Sequence, residues 1–103
     1  MTKYIRVNHP NATHLRCEVY YNKGGENPFN GSSETRGYYI SVSPVKRDGG
    51  FESYTAWTGK KKCILPVKRQ SKLMALDAEY EFQNHLMDYI KSWFPGTEIK
   101  EGE

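Results

Sequence analysis

The spacing of apolar residues changes from two to about 3.6 near Arg69 in this chain, so strands must come first and one long helix last. Before that point Lys3-Tyr4-Ile5-Arg6-Val7 alternates as a strand, which Asn8-His9-Pro10-Asn11 ends. Leu15, Cys17, Val19 and Tyr21 then share one face, opposite His14, Arg16, Glu18 and Tyr20, the pattern of an antiparallel strand with one wet side. Gly37 to Ser43 is the strongest strand, with Tyr38, Ile40 and Val42 inward and Tyr39, Ser41 and Ser43 outward, and Pro44 marks its end or a sheet edge. Lys46-Arg47-Asp48-Gly49-Gly50 supplies turn residues, so Phe51 to Trp57 is expected as the returning arm of a hairpin. Lys61 to Val67 follows as a short strand with Cys63, Leu65 and Val67 on one side.

The helix is expected from about Lys72 to Phe94. Ser71 is placed to cap it, and Pro95-Gly96 stops it. Ala75, Ala78, Phe82, Leu86, Tyr89 and Trp93 fall on one stripe, while Leu76, Tyr80, Met87 and Ile90 widen the apolar arc. Asp77, Glu81, Asn84, Asp88 and Lys91 form the polar side. One sheet face cannot cover so wide an arc, which predicts a homodimer through this helix. The fold class is therefore α+β: an antiparallel sheet of four to five strands followed by one long C-terminal helix packed on it. Residues 1–94 form one domain with a mobile loop at 22–36, where Gly24, Gly25, Asn27, Pro28, Asn30, Gly31, Ser32 and Ser33 offer little to bury, and residues 95–103 form a flexible tail.

A length of 103 residues supports one modest core. The formal net charge is +3, yet seven acids lie between Asp77 and the end against Lys91 and Lys100, so the positive field belongs to the first three quarters. Cys17 and Cys63 are the two cysteines, the start carries no apolar signal segment and no run reaches the length of a membrane span. These features predict a soluble, cytoplasmic protein with free thiols and no membrane partner. Asn11-Ala12-Thr13 and Asn30-Gly31-Ser32 fit the glycosylation pattern by chance in that setting.

The chemistry-bearing residue types converge poorly. His9, His14 and Cys17 are close in sequence, but the alternation that sends Cys17 inward sends His14 outward, and no metal is expected. Cys63 alternates with Leu65 and Val67, which argues an inert thiol. The helix carboxylates are surface neighbours at i, i+4, and Gly24-Gly25 and Gly49-Gly50 lack the strand-to-helix setting of a phosphate loop. No enzymatic activity and no cofactor are expected.

The functional signal is aromatic and basic. Phe51, Tyr54 and Trp57 are followed by Lys60, Lys61, Lys62, Lys68, Arg69 and Lys72, with no acid after Glu52. Rings stack bases and cations neutralise phosphates. Tyr39, outward between Arg36 and Lys46, joins this set, so Tyr39, Tyr54, Trp57, Lys60, Lys61, Lys62 and Arg69 are the expected binders of single-stranded DNA or RNA. The bland alternative is an ordinary solvated hairpin, because aromatic residues are common strand formers. A protein-interaction module acting on a host or mobile-element protein, through the same hairpin or the spare helix face, is the alternative function.

Two resemblances add to this. The order of strands and long helix over about residues 36 to 94 resembles the whirly-type coactivator family, which implies a small dimer whose curved sheets bind single-stranded DNA and whose helices pair. Tyr4-Ile5-Arg6-Val7-Asn8-His9-Pro10-Asn11-Ala12-Thr13 and Arg36-Gly37-Tyr38-Tyr39-Ile40-Ser41-Val42-Ser43-Pro44 resemble segments of small uncharacterised proteins of conjugative elements and phages of Gram-positive bacteria. Together they imply a DNA-handling accessory protein of a mobile element.

Overall fold

A computed structural model describes residues 1–9, 12–26, 33–46 and 59–100. Strands β1 (Thr2–His9), β2 (Ala12–Asn22), β3 (Gly25–Glu26), β4 (Ser33–Glu34), β5 (Gly37–Lys46) and β6 (Lys60–Leu65) precede helix α1 (Lys72–Trp93), and β7 (Glu98–Ile99) follows it. Five strands pair in the order β6-β5-β2-β1-β7, each antiparallel to its neighbour, and α1 packs against β2, β5 and β6. This is the expected α+β arrangement.

Alternation builds the core directly. Ile5, Val7, Leu15, Cys17, Val19, Tyr38, Ile40 and Val42 are buried on the side that meets α1. From the helix, Ala78, Phe82, Leu86 and Ile90 are buried, with Phe94 just beyond its end, a spacing of four that keeps one face turned to the sheet. Ile90 thus belongs to the core stripe, whereas Trp93, expected there, is half-buried with its ring 5.1 Å from Tyr89. Ser71 caps the helix, its hydroxyl accepting from the Met74 amide at 3.1 Å. The Tyr38 hydroxyl donates to the Ser71 carbonyl and accepts from its amide, while the Tyr21 hydroxyl donates to the Val67 carbonyl. Two inward tyrosines therefore bury their rings and use their polar ends to fix the connection between β6 and α1.

Four expectations change. The strand through Ile40 does not end at Pro44 but runs to Lys46; Pro44 pairs opposite Leu15 on β2 and, among the described residues, lies beyond the rungs that join β5 to β6. The segment expected as a loop at 22–36 contains a short ladder, Gly25 opposite Glu34 and Glu26 opposite Ser33. Gly24 makes the kink before it: its φ is +71°, its amide donates to Asn22 Oδ1 at 2.8 Å, and a Cβ there would meet the Arg36 amide and Glu34 carbonyl at 2.8 Å. In the expected tail, Glu98 and Ile99 pair with Asn8 and Val7 as an edge strand, and Ile99 packs on the core. Finally, Ile64 is an extra residue in β6, because Tyr39 faces Cys63 while Tyr38 faces Leu65. This bulge turns Ile64 and Leu65 toward the core and leaves Cys63 on the side of Tyr39, contrary to the simple alternation of Cys63, Leu65 and Val67. The expected strand Phe51 to Trp57 lies outside the described residues.

Candidate nucleic-acid interface

With α1 on one face of the sheet, period-two alternation delivers every second strand residue to the opposite face. Cross-strand partners share a face, so the register identifies what meets there. Tyr4 stands opposite Arg16 and Arg6 opposite His14. Arg16 stands opposite Ser43, Glu18 opposite Ser41 and Tyr20 opposite Tyr39. Ser41 stands opposite Lys61 and Tyr39 opposite Cys63. The open face therefore collects rings and cations from four strands.

Tyr4 is 57% exposed, and its ring is perpendicular to that of His14, with centroids 6.4 Å apart and an interplanar angle of 89°. Arg16 Nη1 lies 2.5 Å from Glu18 Oε1, both on β2. Farther along, Tyr20 stacks on Tyr39 at 5.9 Å and 22°. Lys61 Nζ lies 5.8 Å from the Tyr39 ring centroid and is paired with the Glu34 carboxylate. That hydrogen-bonded ion pair holds the Lys61 ammonium above its ordinary pKa and the Glu34 carboxyl below its own. Burial is the main cause pushing the phenols of Tyr20 and Tyr39 upward.

Against this geometry the expected binding set divides. Tyr39 does face away from α1, but it is only 5% exposed. Tyr20 covers its ring, and its hydroxyl donates to the Thr35 carbonyl at 2.6 Å. It cannot serve as a platform for a base and instead supports Tyr20, which corrects the expectation. Lys60, Lys61 and Lys62 do not form one patch, because adjacent strand residues alternate. Lys61 is on the open face, whereas Lys60 and Lys62 pair with Val42 and Ile40 on the helix side, where Lys62 Nζ lies 5.9 Å from the Tyr89 ring. Arg69 is exposed in the connection between β6 and α1. Tyr54 and Trp57 lie outside the described residues.

Tyr4, Arg6, His14, Arg16 and Tyr20 are the residues that sequence reasoning missed. The wet side of β2 was legible in the sequence. Its meeting with Tyr4 and Lys61 depends on pairing register, which is not.

Among the described residues, the cysteines and histidines weighed as possible ligands or nucleophiles lie apart. Cys17 is fully buried, its thiol donating to the Leu15 carbonyl, and burial pushes its pKa up to about 12. His14 is on the other face, and no group of three His, Cys, Asp or Glu residues suited to a metal occurs among the described residues. A cavity of about 370 Å³ between the start of β1 and α1 is lined by Met1, Thr2, Lys3, Phe82, Gln83 and Leu86, with one titratable side chain, Lys3. No described helix is long and apolar enough to cross a membrane. No protein-family model, curated protein or solved structure matches the chain.

Proposed function

We propose that the protein binds single-stranded DNA or RNA without catalysis, through the sheet face opposite α1. The observation that carries this reading is the clustering of Tyr4, His14 and Tyr20 with Arg6, Arg16 and Lys61 on that face. Tyr4 is exposed and His14 and Tyr20 are half-buried; rings that a base can reach stack on it whatever its sequence, at about 1 to 3 kcal/mol per base, and the cations take phosphates. A DNA-handling role in a mobile element is the setting this reading fits.

Anisotropy of a fluorescein-labelled oligothymidylate, titrated with protein at several salt concentrations, tests it. If Arg6, Arg16 and Lys61 each neutralise a phosphate, the logarithm of affinity should fall with the logarithm of salt at a slope near −2, about −0.7 per contact. No binding at low salt would reject the reading.

We also propose that two copies associate through the outer face of α1. Leu73 (75% exposed), Leu76 (61%), Tyr80 (69%) and Met87 (42%) support this, because they lie on one stripe away from the sheet. The same stripe is the surface on which a protein-interaction module would rely, and sedimentation separates self-association from that alternative.

A further inference from the structure

The open face holds exposed Tyr4 and half-buried Tyr20 far apart, with an arginine beside Tyr4. Tyr4 and Arg16 are direct cross-strand partners, and Arg16 and Tyr20 are four residues apart on the same face of β2. At roughly 3.4 Å per strand residue, Tyr4 and Tyr20 are about 14 Å apart. Bases stacked on one another in a strand rise only about 3.4 Å per step, so bases on these two rings are not stacked neighbours. Arg16, on the rung of Tyr4, is already engaged by Glu18 at 2.5 Å, a carboxylate in the place a phosphate oxygen would take.

Resting on the reading of this face as a strand-binding surface, we infer that it is a two-station site for an unstacked single strand of three or more nucleotides. Tyr4 and Tyr20 each take a base, and Arg16 takes an intervening phosphate in exchange for Glu18. The ligand chemistry follows from the arrangement: flat rings at the ends, an anion between them, and a span that a mononucleotide cannot bridge. Each station has a supporting ring, His14 perpendicular to Tyr4 and Tyr39 stacked with Tyr20, which holds it before the strand arrives.

Anisotropy competition with oligothymidylates of one to ten nucleotides tests this. Affinity should rise steeply up to about four nucleotides and slowly after that. Tyr4→Ala and Tyr20→Leu should each weaken the decamer by about 5- to 150-fold. The leucine keeps an apolar contact with Tyr39, and circular dichroism checks that both variants fold. The dinucleotide, which can occupy either station but not both, should lose no more than about twofold to either variant alone and nearly all binding to the pair. Glu18→Gln should tighten the decamer by about 2- to 5-fold by removing the competitor for Arg16. Asp88→Asn on α1, the same change in charge, should leave it almost unchanged. Equal losses for dinucleotide and decamer in both single variants would overturn the two stations, and equal effects of Glu18→Gln and Asp88→Asn would overturn the exchange at Arg16. A parent protein that binds no oligothymidylate at low salt overturns the face itself, a result distinct from both.

Discussion

Tyr39 separates a packed ring from a binding ring, because the two roles predict opposite outcomes for the same substitution. Its side chain is 5% exposed, stacked on Tyr20, approached by Lys61 and bonded to the Thr35 carbonyl at 2.6 Å. Tyr39→Phe removes only the hydroxyl and its hydrogen bond, which should cost about 0.5 to 1.5 kcal/mol. Tyr39→Ala removes the ring as well, and an aromatic truncated at a buried site costs about 3 to 5 kcal/mol. Domains of this kind have total stabilities of about 5 to 15 kcal/mol, so the alanine variant should stand close to the edge of folding. With a urea slope of about 2 kcal/mol per molar, the midpoint should fall by roughly 0.3 to 0.7 M for phenylalanine and 1.5 to 2.5 M for alanine. Urea unfolding followed by far-UV circular dichroism measures both. An alanine midpoint within about 0.2 M of the parent's would show that the ring is not packed, and would return Tyr39 to the list of binding residues.

Gly37→Ala should destabilise by more than 1 kcal/mol, because a Cβ there would collide with the Leu65 carbonyl and meet Pro66 Cα at 2.9 Å; a thermal melt unchanged from the parent would refute it. Cys17 keeps its proton in the folded state up to about pH 12, against an ordinary value of 9.0. Its contribution to stability is therefore complete below about pH 9 and is lost as pH rises from there to about 12. The alkaline decline should be shallower in Cys17→Ala, and equal slopes of unfolding free energy against pH in the two proteins would contradict this. For the helix, Leu76→Glu with Tyr80→Glu should leave the fold intact and give a monomer in sedimentation where the parent gives a dimer, since both side chains are exposed on the outer stripe; a parent that sediments as a monomer at high micromolar concentration rejects the pairing.

The parts of the fold that alternation controls could be read from the sequence. Leu15 to Tyr21 and Tyr38 to Val42 announce their inner faces because every second residue is apolar, and Ser71 marks the helix start because its hydroxyl can take an orphan amide. Burial on the outer face was not legible. Tyr39 looks solvated beside Ser41 and Ser43, and only the register that sets Tyr20 across from it closes the site. Ile64 hides for the same reason, since a bulge shifts the pairing without changing the alternation on either side. Composition misled at 22–36, where glycine and asparagine suggested an unpaired loop although Gly24 and Asn22 form the kink from which pairing resumes. The lysine run at 60–62 stood out as a cluster, yet a strand distributes consecutive charges to opposite faces. The basic residues that do gather, Arg6, Arg16 and Lys61, come from three different strands.

A ligand on the sheet face opposite α1 must be sensed by the side chains of that face and not by those of the helix, which side-chain NMR of the protein titrated with oligothymidylate resolves. The ring signals of Tyr4 and Tyr20 and the Nε signal of Arg16 should shift together and saturate together, while Leu76, Tyr80 and Met87 on the outer face of α1 stay in place. Shifts confined to the helix side chains, with Tyr4, Arg16 and Tyr20 unmoved at saturation, would contradict it.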